Sequence, residues 1–404
     1  MQRVLLLLPT TTYRTQAFLD AARTLGVEVV CASERPNVFA EQAPDNLLTL
    51  DFDHPESVAE AVRRFGQAHP IDAVVGVDDL TTVVAAAVAQ RLGLPANSVT
   101  AAAATRDKHV MRQRLSEAGV PEPGFRPISL DDDLAVAAGD IGYPCVLKPL
   151  RLSASRGVIR ADTPAEFGAA CRRIAEILKQ AGDPSRTLLA EEFIPGREVA
   201  LEGLLVGGAL HTLALFDKPD PLDGPFFEET IYVTPSRLPA AEQARISTDT
   251  ARAATALGLE EGPIHAELRI NARGPFVIEV AARSIGGLCS RTLRFGTGMT
   301  LEELILRHAL GRKIESYDRE RRPAGVMMIP IPRAGRLQAV AGIERAEAVA
   351  GVEEVAITAH RGQELVLLPE GWQYLGFIFA RADTPEEVER ALREAHARLH
   401  VDIT

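Results

Sequence analysis

Short apolar runs alternate with helical patterns over the first hundred residues. The apolar runs predict strands at 4–8, 27–31 and 73–77. Apolar residues at helical spacing predict the helices between and after them, at 15–25, after Pro55 and at 80–92. Strands that alternate with helices are typical of βαβ units, so we expect a parallel sheet. The turn after the first strand lacks the G-x-G-x-x-G pattern, which removes the main sequence support for dinucleotide binding.

A second unit follows between about residues 101 and 184. Its pattern predicts one helix over 106–118, a Gly/Pro turn, and a strand over 144–148. A polar loop occupies 151–157, and Thr163 with Glu166 three residues later predicts the start of another helix.

The third unit, which begins at Leu188, consists mostly of strands. Five apolar runs predict them, at 188–190, 199–206, 209–216, 264–270 and 276–280. Helical patterns interrupt the series at 240–257 and after Thr300. From Pro323 the chain has the pattern of a small α+β unit of its own, whose last helix begins at Thr384.

Composition and charge narrow the classes of function. The chain has 404 residues, of which 46% are hydrophobic and 25% charged, enough apolar content for more than one folded core. Its formal net charge of −11 has the wrong sign for a main partner that is a nucleic acid or an anionic membrane. The four cysteines lie far apart without C-x-x-C spacing, which argues against a zinc site and favours a reducing cytoplasm. No run approaches the roughly 20 apolar residues of a membrane helix.

Two acidic residues stand in neighbouring apolar strands around the turn 271–275. Glu267 and Glu279 become direct cross-strand neighbours only if the turn has an odd number of residues or the hairpin carries a bulge. Carboxylates that face each other repel unless a cation lies between them, and a hard divalent cation such as Mg²⁺ prefers oxygen ligands. Spacing alone equally allows one of the two to lie on a half-exposed surface.

Lys148 is one of only five lysines and ends an apolar strand just before a Ser/Gly loop. A point charge there can contact a phosphate that the backbone N–H groups of the loop also approach. The alternative is a lysine that extends from a strand end into water.

The segment 191–198 follows a strand and contains a Pro-Gly turn. Main-chain groups exposed at such a turn, beside an apolar residue, can bind the edge of a purine, and a later acidic residue can bind ribose hydroxyls. The alternative is a charged connector.

Five segments, taken in order, resemble the ATP-grasp superfamily. They are Arg106-Asp107-Lys108, 142–149 (GYPCVLKP), 191–198 (EEFIPGRE), 262–267 (GPIHAE) and 277–283 (VIEVAAR). The tail, with 371–377 (GWQYLGF) and the helix after Thr384, resembles the C-terminal lobe of bacterial L-amino acid ligases, which are ATP-dependent dipeptide synthetases. The resemblance covers the whole chain.

The resemblance implies an ATP-grasp fold, with α/β and α+β parts, in four units. These are an N-terminal Rossmann-like βαβ lobe with a parallel sheet (1–100), a small lid subdomain (101–187), a central catalytic subdomain with an antiparallel sheet (188–315) and a C-terminal α+β lobe of the L-amino acid ligase type (316–404).

The resemblance also implies residues that bind ATP and metal. Residues that would contact the phosphates are Lys108, Lys148, Ser153, Ser155 and Gly157. The adenine would be held by Glu191, Glu192, Phe193 and Ile194, and the ribose by Glu198. Glu267 and Glu279 would be the Mg²⁺ ligands. Many relatives have Asn where this chain has Ala281, which puts a second complete metal site in question.

Further residues would act on the substrates. Arg283 would contact an acyl phosphate, and the backbone of Gly286 and Gly287 would stabilise a tetrahedral oxyanion. His265 is a candidate for orienting the attacking amine or taking its proton. Glu229 would pair with the ammonium of the activated amino acid; strand alternation favours it over its neighbour only weakly, and the resemblance decides the choice.

The reaction that the resemblance implies joins two L-amino acids through an acyl phosphate and gives a dipeptide, ADP and phosphate. It needs ATP with one or two Mg²⁺ ions, for which Mn²⁺ can substitute. We expect amino acid substrates, no nucleic acid or membrane partner and a cytoplasmic location, and a homodimer is allowed. Two alternatives stay open: an ATP-grasp ligase or carboxylase for a different acid or amine, and an ATP-binding module without turnover.

Overall fold

The computed structural model describes residues 1–36, 45–139 and 142–404. The N-terminal lobe consists of β1 (Arg3–Leu7), α1 (Thr15–Leu25), β2 (Glu28–Ser33), β3 (Leu47–Thr49), α2 (Pro55–Ala68), β4 (Ala73–Gly76) and α3 (Asp79–Leu92). Its sheet has the order β3-β2-β1-β4 and is parallel throughout, which confirms the predicted βαβ pattern. The pattern did not predict β3, because three residues are too few to show a period.

The helix predicted over 106–118 is confirmed as α5 (Lys108–Glu117), and a further helix that was not predicted, α4 (Val99–Arg106), precedes it. Asp107 adopts an extended conformation, and its carboxylate accepts hydrogen bonds from two backbone amides in the first turn of α5. The break therefore places Lys108 at the start of a helix.

A four-stranded antiparallel sheet forms the lid. The elements of this region are β5 (Phe125–Ser129), α6 (Leu134–Gly139), β6 (Cys145–Pro149), β7 (Ile159–Ala161), α7 (Pro164–Ala181) and β8 (Thr187–Glu192). The order β5-β8-β6-β7 puts β8, which we had grouped with the third unit, between two lid strands. The pattern missed β5 because it contains Pro127, which an edge strand tolerates.

The central part begins with two long hairpin strands. Its elements are β9 (Arg197–Val206), β10 (Ala209–Lys218), β11 (Ile231–Thr234), α8 (Ala240–Leu257), β12 (Gly262–Asn271), β13 (Gly274–Ala281), β14 (Arg294–Phe295), β15 (Met299–Thr300) and α9 (Leu301–Ala309). A short 3₁₀ turn over Cys289–Thr292 precedes β14.

The C-terminal part adds strands to the central sheet and also forms a small sheet of its own. Its elements are β16 (Ala324–Ile329), β17 (Gly335–Ala341), α10 (Ile343–Glu347), β18 (Val352–Ile357), β19 (Glu364–Leu365), β20 (Gly376–Arg381), α11 (Pro385–Arg398) and β21 (His400–Ile403). The large sheet has the order β13-β12-β9-β10-β11-β16-β20-β18, and β19-β17-β21 form a smaller one. Direct hydrogen bonding between β11 and β16 joins the two parts.

One hydrophobic core spans the N-terminal lobe and the large sheet. It contains Val4 and Phe18 from the first lobe together with Phe216 and Phe377 from the sheet. Among the described residues, no helix combines the length and the apolar character needed to cross a bilayer.

Arg14 ties the N-terminal lobe to the central part. Its side chain is almost fully buried; the guanidinium lies 2.9 Å from a carboxylate oxygen of Glu302 and donates to the Ser284 hydroxyl at 2.7 Å. Ser290 donates to the same carboxylate at 2.7 Å. A buried pair of this kind is costly to break because the remaining charge loses its partner without gaining water.

We expect Arg14→Met to lower the free energy of unfolding by about 3 kcal/mol, because it leaves Glu302 charged and buried. Arg23→Met is the matched control on the same helix, since the Arg23 side chain is 75% exposed and its ion pair with Asp20 should contribute less than about 0.5 kcal/mol. Urea unfolding of both variants measures the difference. Equal losses would contradict a special role for the buried pair.

Candidate active site

The hairpin of β12 and β13 places Glu267 directly opposite Glu279. The turn itself has an even length, with Asn271 paired to Gly274. The register shifts next to Glu267, where Ile278 of β13 is left without a partner, so β13 carries a bulge. The bulge is one of the two solutions that the sequence allowed, and it brings both carboxylates to the same side of the hairpin.

A cluster of three carboxylates surrounds one lysine. Oxygens of Glu198, Glu229 and Glu267 all lie within 4.8 Å of one another. The Lys218 ammonium, at the end of β10, lies 2.8 Å from Glu198 and 3.3 Å from Glu267, and it also binds Glu229. Burial alone would lower the pKa of Lys218, but these carboxylates raise it well above its ordinary value. Lys218 was not among the predicted site residues, although it lies near the end of an apolar strand, as Lys148 does.

The acidic residues fit the magnesium ion that the fold implies. Glu267 and Glu279 offer oxygen ligands from two opposed strands, and hard divalent cations prefer such ligands. A lysine ammonium stands beside each of them, Lys218 beside Glu267 and Lys108 at 3.4 Å from Glu279. The surroundings therefore already stabilise positive charge at these carboxylates.

A cleft of about 690 Å³ lies between the lid sheet and the central sheet. Its lining includes most of the residues expected to bind ATP, namely Lys108, Lys148, Ser153, Ser155, Glu191, Glu192, Phe193, Ile194 and Glu198. Glu229, Glu267 and Glu279 line it as well. The structure thus brings together residues that lie up to 171 positions apart in the chain.

Lys148 is held by a buried ion-pair network. Its ammonium lies 2.6 Å from one oxygen of Glu191, and the Arg112 guanidinium lies 2.7 Å from the other. Burial would raise the pKa of Glu191, but the two cations lower it to about 2. Glu191 therefore positions Lys148 through its carboxylate, and Arg112 is a further residue that the sequence did not indicate.

The neighbouring residues have different surroundings. Glu192 is exposed, and its carboxylate pairs with Arg273 at 2.7 Å. The ring of Phe193 lies between two guanidinium groups, 4.1 Å from that of Arg160 and 4.9 Å from that of Arg269. Ile194 is buried in the lining of the cleft.

The loop that begins at Ser153 lies over the cleft and is anchored at its far end. Ala154 and Ser155 have left-handed backbone conformations, with φ of 56° and 55°. Gly157 has a φ of 73°, and a Cβ there would lie 3.1 Å from the Pro149 ring. The amide of Gly157 donates to the carbonyl of Pro369, so the C-terminal part holds this loop.

A second cleft, of about 1310 Å³, adjoins the first and shares Ser153, Ser155, Glu229, Glu267 and Glu279 with it. Arg283, Gly286 and Gly287, which follow β13, contribute to its lining. The N-terminal lobe contributes the loops after β1 and β4. The Arg283 guanidinium lies 3.0 Å from Asp79, at the start of α3. Burial would lower the pKa of Arg283, but Asp79 raises it.

His265 lies between two glutamates. Its Nδ1 binds the fully buried Glu202, and its Nε2 lies 3.3 Å from Glu267. Burial would lower the pKa of His265, but Glu202 raises it to about 9. The other oxygen of Glu202 accepts a hydrogen bond from the Ile285 amide at 2.9 Å, so it also fixes the segment after Arg283. Glu202 was not among the predicted site residues, although a glutamate inside the apolar run of β9 is itself unusual in the sequence.

Three segments of the chain match models of known protein domain families. Residues 141–292 match the ATP-grasp domain, 19–96 match the ATP-grasp N-terminal domain, and 327–404 match the L-amino acid ligase C-terminal domain 2. The chain belongs to the ATP-grasp superfamily, as the resemblance indicated, and the mixed α/β ATP-grasp fold is confirmed.

Individual proteins of similar sequence or structure indicate which ATP-grasp enzymes the chain is related to. The chain is 24% identical to the uncharacterized protein y4rH of Sinorhizobium fredii, over 98% of this chain and 82% of that protein. It is 28% identical to alanine–anticapsin ligase of Bacillus subtilis, over 65% of this chain and only 60% of that enzyme. The crystal structure of an L-amino acid ligase from Bacillus licheniformis superposes with a TM-score of 0.82 at 26% identity, covering 100% of this chain and 99% of that one. The chain is thus related to L-amino acid ligases, which supports ATP-dependent C–N ligation.

Glu122 extends the ion-pair network around Arg112, at a distance of 3.6 Å. Its Oε2 is buried and has no hydrogen-bond partner. Burial raises the pKa of Glu122 to about 7, although Arg112 opposes the shift. A carboxyl group whose pKa is higher in the folded state contributes stability below its unfolded value, and that contribution is lost as the pH rises through 7.

We therefore expect the free energy of unfolding of the wild-type chain to fall, relative to that of Glu122→Gln, as the pH rises from 5 to 8. Urea unfolding at several pH values measures this difference. Glu117→Gln, which changes an exposed residue at the end of α5, is the control and should track the wild type. Parallel curves for all three proteins would show that Glu122 titrates normally.

Proposed function

We propose that the chain is an ATP-dependent carboxylate–amine ligase that joins two L-amino acids through an acyl phosphate and gives a dipeptide, ADP and phosphate. The observation that carries this proposal is that two adjoining clefts share Glu229, Glu267 and Glu279. A phosphate donor in the first cleft would meet a carboxylate in the second at these shared residues.

In this proposal the first cleft binds ATP. Lys148, fixed by Glu191, and Lys108 contact the phosphates, and the loop from Ser153 to Gly157 covers them. The segment from Glu191 to Ile194 holds the adenine, with Glu198 at the ribose. Glu267 and Glu279 would hold Mg²⁺, which neutralises charge on the transferring phosphate when it is bound.

The first step activates an amino acid. An oxygen of its carboxylate attacks the γ-phosphorus, a new O–P bond forms, and the bond from that phosphorus to the bridging oxygen of ADP breaks. Lys148 contributes a fixed positive charge where negative charge moves, and Arg283, oriented by Asp79, meets the acyl phosphate.

The second step forms the peptide bond. The neutral amine of the second amino acid attacks the acyl carbon, the C–N bond forms, and phosphate leaves with the bonding electrons while the nitrogen loses a proton to water. Backbone N–H groups at Gly286 and Gly287 stabilise the tetrahedral oxyanion. Both ring nitrogens of His265 have carboxylate partners, which favours an orienting role over proton transfer.

Glu229 is the proposed partner of the substrate ammonium. It lines both clefts and already binds one ammonium, that of Lys218. Burial raises the pKa of Glu229 in spite of Lys218, so a second cation beside it would stabilise its ionised form. Glu228, by contrast, lines a separate small groove.

We also propose a cytoplasmic location. The four cysteines are all free, and three of them are buried, which suits a reducing compartment. A homodimer stays a prediction.

The proposal predicts that purified protein with ATP, Mg²⁺ and pairs of L-amino acids releases ADP and phosphate and forms a dipeptide. Chromatography of the nucleotides and mass spectrometry of the products measure this. AMP with pyrophosphate would mean adenylate chemistry and overturn the mechanism. ADP release with other acids or amines only would indicate a different ATP-grasp ligase, and ATP binding without turnover would indicate a binding module.

Variants test whether the activity belongs to this site. Glu279→Ala and Lys148→Ala should each lower turnover by roughly a hundredfold or more, because each removes charge at the transferring phosphate. Lys148→Arg should not restore the rate fully, since a planar guanidinium replaces a point charge. Lys179→Ala, at an exposed position of α7, is the control and should behave as the wild type.

Glu229→Gln should raise the KM for the activated amino acid far more than the KM for ATP, because it removes the charge that pairs with the ammonium and keeps the shape. Glu228→Gln is the matched control one residue away. Steady-state kinetics with each substrate varied in turn measures both values. If the amino acid KM does not change in Glu229→Gln, another residue binds the ammonium.

A further inference from the structure

Two large apolar side chains are exposed on the surface of the second cleft. Leu80, in the first turn of α3, is 56% exposed, and Trp372, in the loop before β20, is 37% exposed. Both line the cleft that contains Arg283. Only six large apolar side chains in the described part of the chain have comparable exposure, so finding two of them at one concave site indicates a function.

The wall of the cleft next to the two glycines is also apolar. Tyr13, Tyr374, Phe377 and Met328 line it, with the Tyr13 and Phe377 rings edge to face at 5.6 Å. A Cβ on Gly287 would lie 3.0 Å from the Phe377 ring, so this wall directly adjoins the backbone proposed to stabilise the oxyanion. A side chain on the activated carbon would therefore lie near aromatic and aliphatic groups.

Most of the charged side chains that line this cleft already have a charged partner, inside the cleft or beside it. The pairs are Arg283 with Asp79, Glu229 and Glu267 with Lys218, Glu279 with Lys108, and His265 with Glu202. A charged substrate side chain would have to leave water for an apolar wall, which costs free energy unless a partner is available.

From these observations we propose that the activated amino acid carries a large apolar side chain, such as that of leucine or phenylalanine, which Leu80 and Trp372 cover. The inference rests on the proposed ligase function and adds the class of its substrate. It makes Leu80 and Trp372 residues that determine specificity, while the chemistry stays with the groups around Arg283.

The first experiment uses the wild-type chain with ATP and Mg²⁺ and an equimolar mixture of leucine, phenylalanine, alanine, aspartate and lysine. Mass spectrometry with fragmentation identifies the N-terminal residue of each dipeptide. We expect leucine or phenylalanine in that position. Dipeptides that begin mainly with alanine, aspartate or lysine would overturn the inference but leave the ligase function standing, whereas no dipeptide with any amino acid would overturn both.

The second experiment separates specificity from stability. Trp372→Ala should lower kcat/KM for leucine about tenfold through KM, and change kcat/KM for alanine less than about twofold. Leu80→Ala should act in the same direction. Val366→Ala is the matched control, since Val366 is 42% exposed in the same region but does not line this cleft. Equal losses for leucine and alanine, or an equal effect of the control, would overturn the inference.

A third measurement needs no turnover. Trp372 is the only tryptophan of the chain, so its fluorescence reports directly on this cleft. Titration of the wild type with leucine should give a saturable change in emission, and alanine should give a weaker one. An emission that leucine does not change would contradict contact with Trp372.

Discussion

Compensation of buried negative charge is the constraint on which this site depends. Carboxylates of Glu198, Glu229 and Glu267 converge within 4.8 Å, where like charges repel strongly because the surroundings screen them poorly. Lys218 makes the cluster tolerable by contacting all three. Since β10 pairs with β9, and β9 with β12, the register of the sheet itself delivers the lysine to the acids. In the proposed function, members of the same cluster bind other cations, Glu267 a divalent ion and Glu229 a substrate ammonium.

The site is assembled from every part of the chain. The lid supplies Lys148 and the loop after it, and the C-terminal part anchors that loop through Pro369. The N-terminal lobe orients Arg283 through Asp79 and closes one side of the second cleft. Arg14 and Glu302 join the same two regions by a buried ion pair. The arrangement couples the geometry around the reacting groups to the packing of the lobes.

Much of the fold could be predicted from the pattern of residues. The helices Thr15–Leu25 and Ala240–Leu257 have the predicted bounds, because their apolar spacing is strong and glycine follows each. Predictions failed where the local pattern was weak: the short helix Val99–Arg106 was not predicted, and Pro127 conceals an edge strand. The pattern also grouped β8 with the third unit, whereas β8 pairs within the lid sheet. Strand pairing depends on contacts between distant segments, which a local pattern does not record.

The same division applies to the candidate site. The ordered motifs gave the family and a set of residues most of which line the two clefts. They gave no indication of Arg112, Glu202 or Lys218, whose roles consist of contacts with groups distant in the chain.

The sequence by itself determined the residue types, the local elements and the requirement that the turn near Glu267 be odd or bulged. Only the tertiary structure decided that the strand is bulged, that Lys218 stands among three acids and that Leu80 and Trp372 share one cleft. The physical reason is that periodicity records which face of an element is apolar. Which distant faces meet, and which charges then pair, follows from packing and desolvation in the folded chain.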